Sequence, residues 1–392
     1  MSYDPARLTA NWPFPTPVRF GPGRLAELGK TCARLGFTRP LVVTDAGLAK
    51  TEIVARAMAG LGEAGLTATL FSEVKSNPTA GNVAAGAKAF EGGECDGIVA
   101  IGGGSAMDAA KGIALQAAHP GPALEYAVGG PRYREIDGKA LVPLVAVPTT
   151  SGTGSEMGYA AVVSDEEAHA KRVLYHPNLL ARTVICDPEL VVGLPANLTA
   201  WTGLDAAVHC IEAYCAQSFN PMCDGIAAEG MRLIHTWLPR AVKDGTDLEA
   251  RGQMMAAAAM GAVAFNKGLG AVHAVSHAVG AHKDSHHGLT NAVVLPYVLI
   301  HNKPVIAEAC GVLARCMGLP KADFGGLLDW SLQIREAFDI PHTLDALGVV
   351  EEDLTALAET AAADVTAREN PVRVDTEALR GIIAKALSGD LG

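Results

Sequence analysis

No stretch of this 392-residue sequence reaches the roughly 18 apolar residues that a membrane-spanning helix needs, and candidates such as 292–300 are broken by Pro296. The opening residues carry Asp4, Pro5 and Arg7 and lack the apolar core of a signal peptide, so a soluble, cytoplasmic protein is expected. Basic side chains are in the minority, 31 against 42 acidic ones, for a formal charge of -11. Such a balance repels phosphate backbones and anionic lipid, which excludes nucleic acid and membrane surfaces as expected partners. The eight cysteines contain no Cys-x-x-Cys pair. A chain of this length needs no disulfide framework, and reduced, mostly buried thiols are expected.

What is present is ample material for a core: 49% apolar residues against 19% charged. The length exceeds that at which one core usually keeps growing, so two domains are expected. Short β-branched runs recur at 41–44, 68–71, 97–101, 141–147 and 183–186 and read as strands. Alanine-rich segments with helical spacing, 53–61 and 82–90, lie between them, and this alternation implies a parallel α/β sheet. Past a Pro- and Gly-punctuated junction at 187–195, segments such as 253–265 and 324–338 have helical composition only. The expected division is an α/β domain over residues 1–190 and an all-helical domain over 191–392.

Two loops follow strands in the α/β half. Residues 97–101 run directly into Gly102-Gly103-Gly104-Ser105, and a helix with Asp108 in its first turn should follow. Glycines let backbone N–H groups approach an anion, and a helix N-terminus adds a favourable dipole, so a diphosphate fits. Met107 stands where the third glycine of the dinucleotide fingerprint belongs, and a tight strand-to-helix turn would use the same residues. The second loop, Pro148 to Glu156, gathers hydroxyls at the same sheet edge and also suits a helix N-cap.

In the helical half, Asp205 and His209 are four residues apart, hence on one helix face among apolar neighbours. Five of the twelve histidines then crowd together: His273, His277, His282, His286 and His287. Neutral imidazole and carboxylate suit Zn²⁺ or Fe²⁺. Spacing alone does not say which histidines ligate; an i,i+4 hydrogen bond and a solvated loop would account for the same residues.

Several spaced motifs occur in order: PTPVRFG at 15–21, Asn77-Pro78-Thr79, GGGSAMDAAK at 102–111, PTTSGTGSE at 148–156, GLDAAVHCIEAY at 203–214, GLGAVHAVSH at 268–277 and HGLTNAVVLP at 287–296. In these the sequence resembles the iron-containing (group III) alcohol dehydrogenases. The resemblance implies a dinucleotide-binding domain followed by a helical metal domain, with Asp205, His209, His273 and His287 as metal ligands. It implies His277 as proton relay and His282 and His286 as bystanders; His286 stands where the family commonly has proline. It places Asn77, Gly103, Gly104, Ser105, Asp108, Thr149, Thr150, Thr153 and Lys171 at the cofactor, and Phe265 in the substrate pocket. Asp45 falls where the family faces the adenosine ribose, and a carboxylate there favours NAD over NADP.

The implied reaction is hydride transfer between a small primary alcohol or its aldehyde and NAD(H), assisted by one Fe²⁺ or Zn²⁺, in a homodimer or larger homo-oligomer. Lys267, His282, Lys283 and His286 against the single acid Asp284 make the pocket-facing segments cationic, which favours an ω-hydroxy acid. Other readings are a glycerol-dehydrogenase-like polyol oxidation, a metal-dependent phosphohydrolase with a nucleotide-binding domain, and a metal-binding scaffold without catalysis.

Overall fold

A computed structural model describes residues 10–12 and 15–392. The chain forms two compact units, one of Met1–Thr150, Gly154–Gly193 and Thr246–Met255, the other of Ser151–Thr153, Leu194–Gly245 and Ala256–Gly392. The main division lies at 193/194, three residues past the expected one, and two short segments cross it in sequence.

The first unit contains β1 (Ala10–Trp12), β2 (Val18–Phe20), α1 (Leu28–Arg34), β3 (Pro40–Asp45), α2 (Glu52–Glu63), β4 (Thr69–Val74), α3 (Ala80–Gly92), β5 (Gly97–Gly102), α4 (Gly104–Ala118), β6 (Leu144–Pro148), β7 (Ala160–Asp165), β8 (Ala170–Tyr175) and β9 (Thr183–Cys186). Seven strands form one sheet in the order β1-β2-β9-β6-β5-β3-β4; all neighbours are parallel except the β1–β2 pair. The interior strand β5 is buried along its whole length, as the uninterrupted apolar run Ile98 to Ile101 requires of a strand covered on both faces. Val42, Val99, Ile101, Val145 and Ile185 join Leu25, Leu28 and Leu61 in one core cluster.

The strand order carries the functional consequence. From β3 the chain steps outward to β4, then returns to β5 on the other side of β3 and continues to β6. The sheet therefore reverses direction between β3 and β5, and ligands bind doubly wound sheets beyond the carboxyl ends of strands at such a point. Asp45 and Gly102 end those two strands. The sequence reading missed β1, β2 and the antiparallel β7–β8 ribbon, whose strands are only partly buried.

The second unit is helical: α5 (Ala196–Cys215), α6 (Pro221–Lys243), the later part of α7 (Leu248–Ala264), α8 (Ala271–Lys283), α9 (His287–Met317), α10 (Phe324–Ala337), α11 (Leu354–Ala363) and α12 (Thr376–Ser388). Helix α8 runs through Lys283, so His282 stands on a helix and not in a solvated loop; Asp284 then adopts the left-handed conformation, φ 52°, and ends α8. Among the described residues no single helix is long and apolar enough to cross a membrane, and all eight cysteines are free.

Candidate metal centre and cofactor loops

Helix α5 is buried over most of its length, so the polar side chains it carries inward need partners. Asp205, His209 and Glu212 lie on one face of it at i, i+4 and i+7. Helix α8 presents His273 and His277 one turn apart, and α9 opens with His287 followed one turn later by Asn291. The fold brings one ligand-type atom from each of Asp205, His209, His273 and His287 within 4.8 Å of one another. From Asp205 Oδ1 the Nε2 atoms of His287, His209 and His273 are 3.5, 3.7 and 4.0 Å away. Ligands about 2.1 Å from a tetrahedral ion stand about 3.4 Å apart, so the distances from Asp205 fit one ion once they close by up to about 0.6 Å.

The donor chemistry fits as well. Ser276 Oγ donates to the His287 carbonyl (3.2 Å) and lies 3.0 Å from His287 Nδ1, which can therefore carry the ring proton. His273 Nδ1 lies 2.6 Å from Glu212 Oε2. With protons on Nδ1, both rings turn Nε2 lone pairs toward a carboxylate, a set of acceptors that suits a cation; the Asn291 amide Nδ2 lies 3.1 Å from His287 Nε2 and 3.4 Å from His273 Nε2. Asn291, fully buried, donates from Nδ2 to Asp205 Oδ1 at 2.7 Å. Burial pushes His209 down to about 4, against the pull of Asp205, which keeps this imidazole neutral and able to ligate. Burial also opposes protonation of His273, but the Glu212 hydrogen bond and the charges of Glu212, Asp205 and Asp364 raise it above the ordinary value.

His277 lies outside this set of four. Its ring stacks on His287, with centroids 5.3 Å apart, and Asp364 Oδ2 is 2.9 Å from its Nδ1. Burial opposes ionisation of Asp364, yet His277 and Thr366 hold its carboxyl below the usual range. Phe265 packs its ring 5.0 Å from His209.

His282 and His286 are kept out of the cluster: His282 Nε2 is 3.0 Å from Thr360 Oγ1, and His286 accepts Leu289 N–H at the start of α9 with its ring against Trp201. The two lysines of the expected cationic pocket each have a carboxylate partner. Lys267 is buried and donates to Asp224 Oδ1 and the Tyr214 carbonyl, and Lys283 pairs with Asp353 at 2.6 Å. Both acids come from distant parts of the chain, so the local count of charges misjudged the neighbourhood.

In the first unit Gly102, φ 152°, turns the chain out of β5, and a Cβ there would stand 2.6 Å from Ala106 Cβ. Gly103 caps α4 and Gly104 begins it, so backbone N–H groups open at the sheet's switch point. Thr150 lies against Gly103, Thr149 N donates to the Gly102 carbonyl, and Ser105 Oγ donates to the Ser76 carbonyl. Lys171 Nζ donates to Asn77 Oδ1 at 2.6 Å. Thr153 belongs to the second unit. Asp45 Oδ1 accepts the N–H groups of Gly47 and Leu48, so part of this carboxylate caps the next turn.

Asp108 departs from expectation. It is in the second turn of α4, not the first, and both oxygens have donors inside the unit: Oδ1 from Ser155 Oγ at 2.6 Å and Oδ2 from Val162 N at 2.9 Å. Lys111, almost fully buried, completes this network by donating to Ser155 O, Ser155 Oγ and Ala160 O. These residues fasten the hydroxyl loop to α4 from beneath. Sequence reasoning missed Lys111, Glu212, Ser276, Asn291 and Asp364. The signal for Glu212 and Asn291 was their helical spacing from histidines; Asp364 left none, because its partner is 87 residues away.

A switch-point glycine loop in an α/β unit and an Asp/His₃ cluster in a helical unit are the parts that a metal-dependent, nucleotide-using enzyme needs. The chain belongs to the iron-containing alcohol dehydrogenase family: "Iron-containing alcohol dehydrogenase" matches residues 15–188 and "Fe-containing alcohol dehydrogenase family, C-terminal" matches 199–387. It is an oxidoreductase of the alcohol dehydrogenase type. The 4-hydroxybutyrate dehydrogenase of Cupriavidus necator is 39% identical over 375 residues, 93% of this chain and 96% of that protein. The NAD-dependent methanol dehydrogenase of Bacillus methanolicus is 36% identical over 387 residues, 96% and 100% of the two chains. The crystal structure of a 1,3-propanediol oxidoreductase, 35% identical, superposes with a TM-score of 0.89 over 97% of this chain and 100% of that one.

Proposed function

We propose that the protein interconverts a small primary alcohol and its aldehyde with NAD⁺/NADH, using one Fe²⁺ or Zn²⁺ held by Asp205, His209, His273 and His287. The observation that carries this reading is the convergence of three imidazole nitrogens on Asp205 Oδ1. When bound, the divalent ion stabilises negative charge on the alcohol oxygen and NAD⁺ accepts the hydride. His277 takes up the hydroxyl proton at Nε2, its ring held by Asp364 at Nδ1. Phe265, beside His209, lines the apolar side of the substrate pocket. Gly103, Gly104, Ser105, Thr149, Thr150, Thr153, Asn77 and Lys171 bind the dinucleotide, and Asp45 binds the adenosine ribose. Asp108 supports the loop without touching the cofactor.

The relative named for 4-hydroxybutyrate supports an ω-hydroxy acid as a second substrate reading. Lys267 and Lys283 do not supply its counter-charge, since each has a carboxylate partner. Family membership removes the ground for a phosphohydrolase or a non-catalytic scaffold.

The test is a panel of alcohols and aldehydes with each nicotinamide cofactor, run on metal-analysed protein before and after chelation. Primary alcohols should reduce NAD⁺, with activity lost on chelation and restored by Fe²⁺ or Zn²⁺. Flat traces throughout, or phosphate release from nucleotides in their place, would overturn the reading. His287→Ala should lose the metal while His286→Ala keeps it.

A further inference from the structure

The residue that most constrains the metal centre from outside the set of four is Glu212. It follows His209 on the same face of α5, is 7% exposed, and has a donor for each oxygen in the first turn of α8. Oε1 accepts the Val272 N–H at 2.8 Å and Oε2 lies 2.6 Å from His273 Nδ1. Gly270 permits the approach, because a Cβ there would stand 2.9 Å from Glu212 Oε1. One carboxylate thus ties the start of α8 to the helix that carries Asp205 and His209.

We infer that Glu212 is a positioning residue of the metal centre, which holds the His273 proton on Nδ1 and thereby keeps the Nε2 lone pair facing the ion. This rests on the reading of Asp205, His209, His273 and His287 as metal ligands. An ionised carboxylate only accepts hydrogen bonds, so the imidazole atom beside it must be the donor. The other nitrogen is then left as the ligand, in the register set by the ring's orientation.

The inference makes a counterintuitive ordering of variants. Glutamine has one acceptor where two donors must be met. The Val272 N–H is a backbone donor and cannot change its nature, whereas an imidazole can exchange tautomers. In Glu212→Gln the amide oxygen stays with Val272, the NH₂ group faces Nδ1, and His273 moves its proton to Nε2, where it blocks ligation. Glu212→Ala removes more packing but imposes no tautomer. A cavity of about 10 Å³ already borders Glu212, Val272, Asn302 and Asn370, and enlarged by the truncation it admits water to accept from Nδ1.

The experiment measures Zn²⁺ affinity of the whole protein by chelator competition, with apo-protein melting alongside. Glu212→Gln should bind Zn²⁺ about 10- to 100-fold more weakly than wild type. It should also bind more weakly than Glu212→Ala, although Glu212→Ala melts lower. A role in stability alone gives the opposite order of affinities, and that order, or wild-type affinity in Glu212→Gln, overturns the inference. Failure of the wild type to bind Zn²⁺ or Fe²⁺ would instead sink the metal-centre reading. If Glu212→Ala does not fold, imidazole ¹⁵N shifts of apo Glu212→Gln decide: a proton on His273 Nε2 supports the inference and one on Nδ1 overturns it.

Discussion

Replacing Gly288 with alanine should damage the metal centre without touching a ligand. Gly288 follows His287 in the first turn of α9 and packs on α5, where a Cβ would stand 2.4 Å from the Trp201 carbonyl oxygen and 3.1 Å from Asp205 Cβ. Ordinary contact begins near 3.4 Å, so the two helices must separate there by about 1 Å. The separation acts on His287 from α9 and Asp205 from α5, whose ligand atoms are 3.5 Å apart. Metal–ligand distances tolerate only about 0.2 Å, so one ligand is lost or strained. Two opposing terms act on the fold: alanine in a helix is favoured over glycine by about 1 kcal/mol, while overpacking costs about 1–3 kcal/mol. Apo stability should therefore fall by no more than about 2 kcal/mol, whereas Zn²⁺ affinity should fall at least ~10-fold. Calorimetry of the apo protein and chelator competition separate the two effects. Wild-type metal affinity in a variant that melts higher would refute the close-approach argument.

Three further outcomes follow from the structure. Asp45→Asn keeps an acceptor for the Gly47 and Leu48 N–H groups but removes the charge. Its NADP-to-NAD ratio of kcat/KM should rise about tenfold, and an unchanged ratio would reject ribose contact. Glu156, pushed up to about 7 by burial from 4.5, holds its proton more tightly folded than unfolded. Stability therefore falls as pH rises from about 4.5 through 7, by roughly 3 kcal/mol, and Glu156→Gln should remove that slope from melting curves measured across the window. Lys267→Met should leave the kcat/KM ratio of 4-hydroxybutyrate over 1-butanol within about twofold, while costing about 1–3 kcal/mol of stability through the lost Asp224 and Tyr214 bonds. A tenfold fall in the ratio would return Lys267 to the substrate pocket.

Where neighbours in sequence are neighbours in space, the reading needed no tertiary knowledge. The run from Ile98 to Ile101 into three glycines is both a buried strand and the turn that follows it. Asp205 and His209 share a face because a helix repeats every 3.6 residues. The apolar segments of the second half could only be helices, having neither alternation nor strand-length punctuation. What periodicity could not reach was pairing across distance. The sequence reading counted Lys267 and Lys283 as unpaired charge facing the pocket because their acids, Asp224 and Asp353, lie elsewhere in the chain. It could not choose His273 and His287 over His282 and His286 without the family resemblance, since all four have comparable spacing. Nor could it find Glu212, whose role exists only once α8 begins against α5. The sequence alone determined the buried strands of the sheet from β3 to β9, the helical character of the second half and the residue types able to bind a metal. Which of those residues face one another was decided by tertiary packing, because a hydrogen bond or a coordination sphere depends on ångström separations that helices acquire only after they are packed.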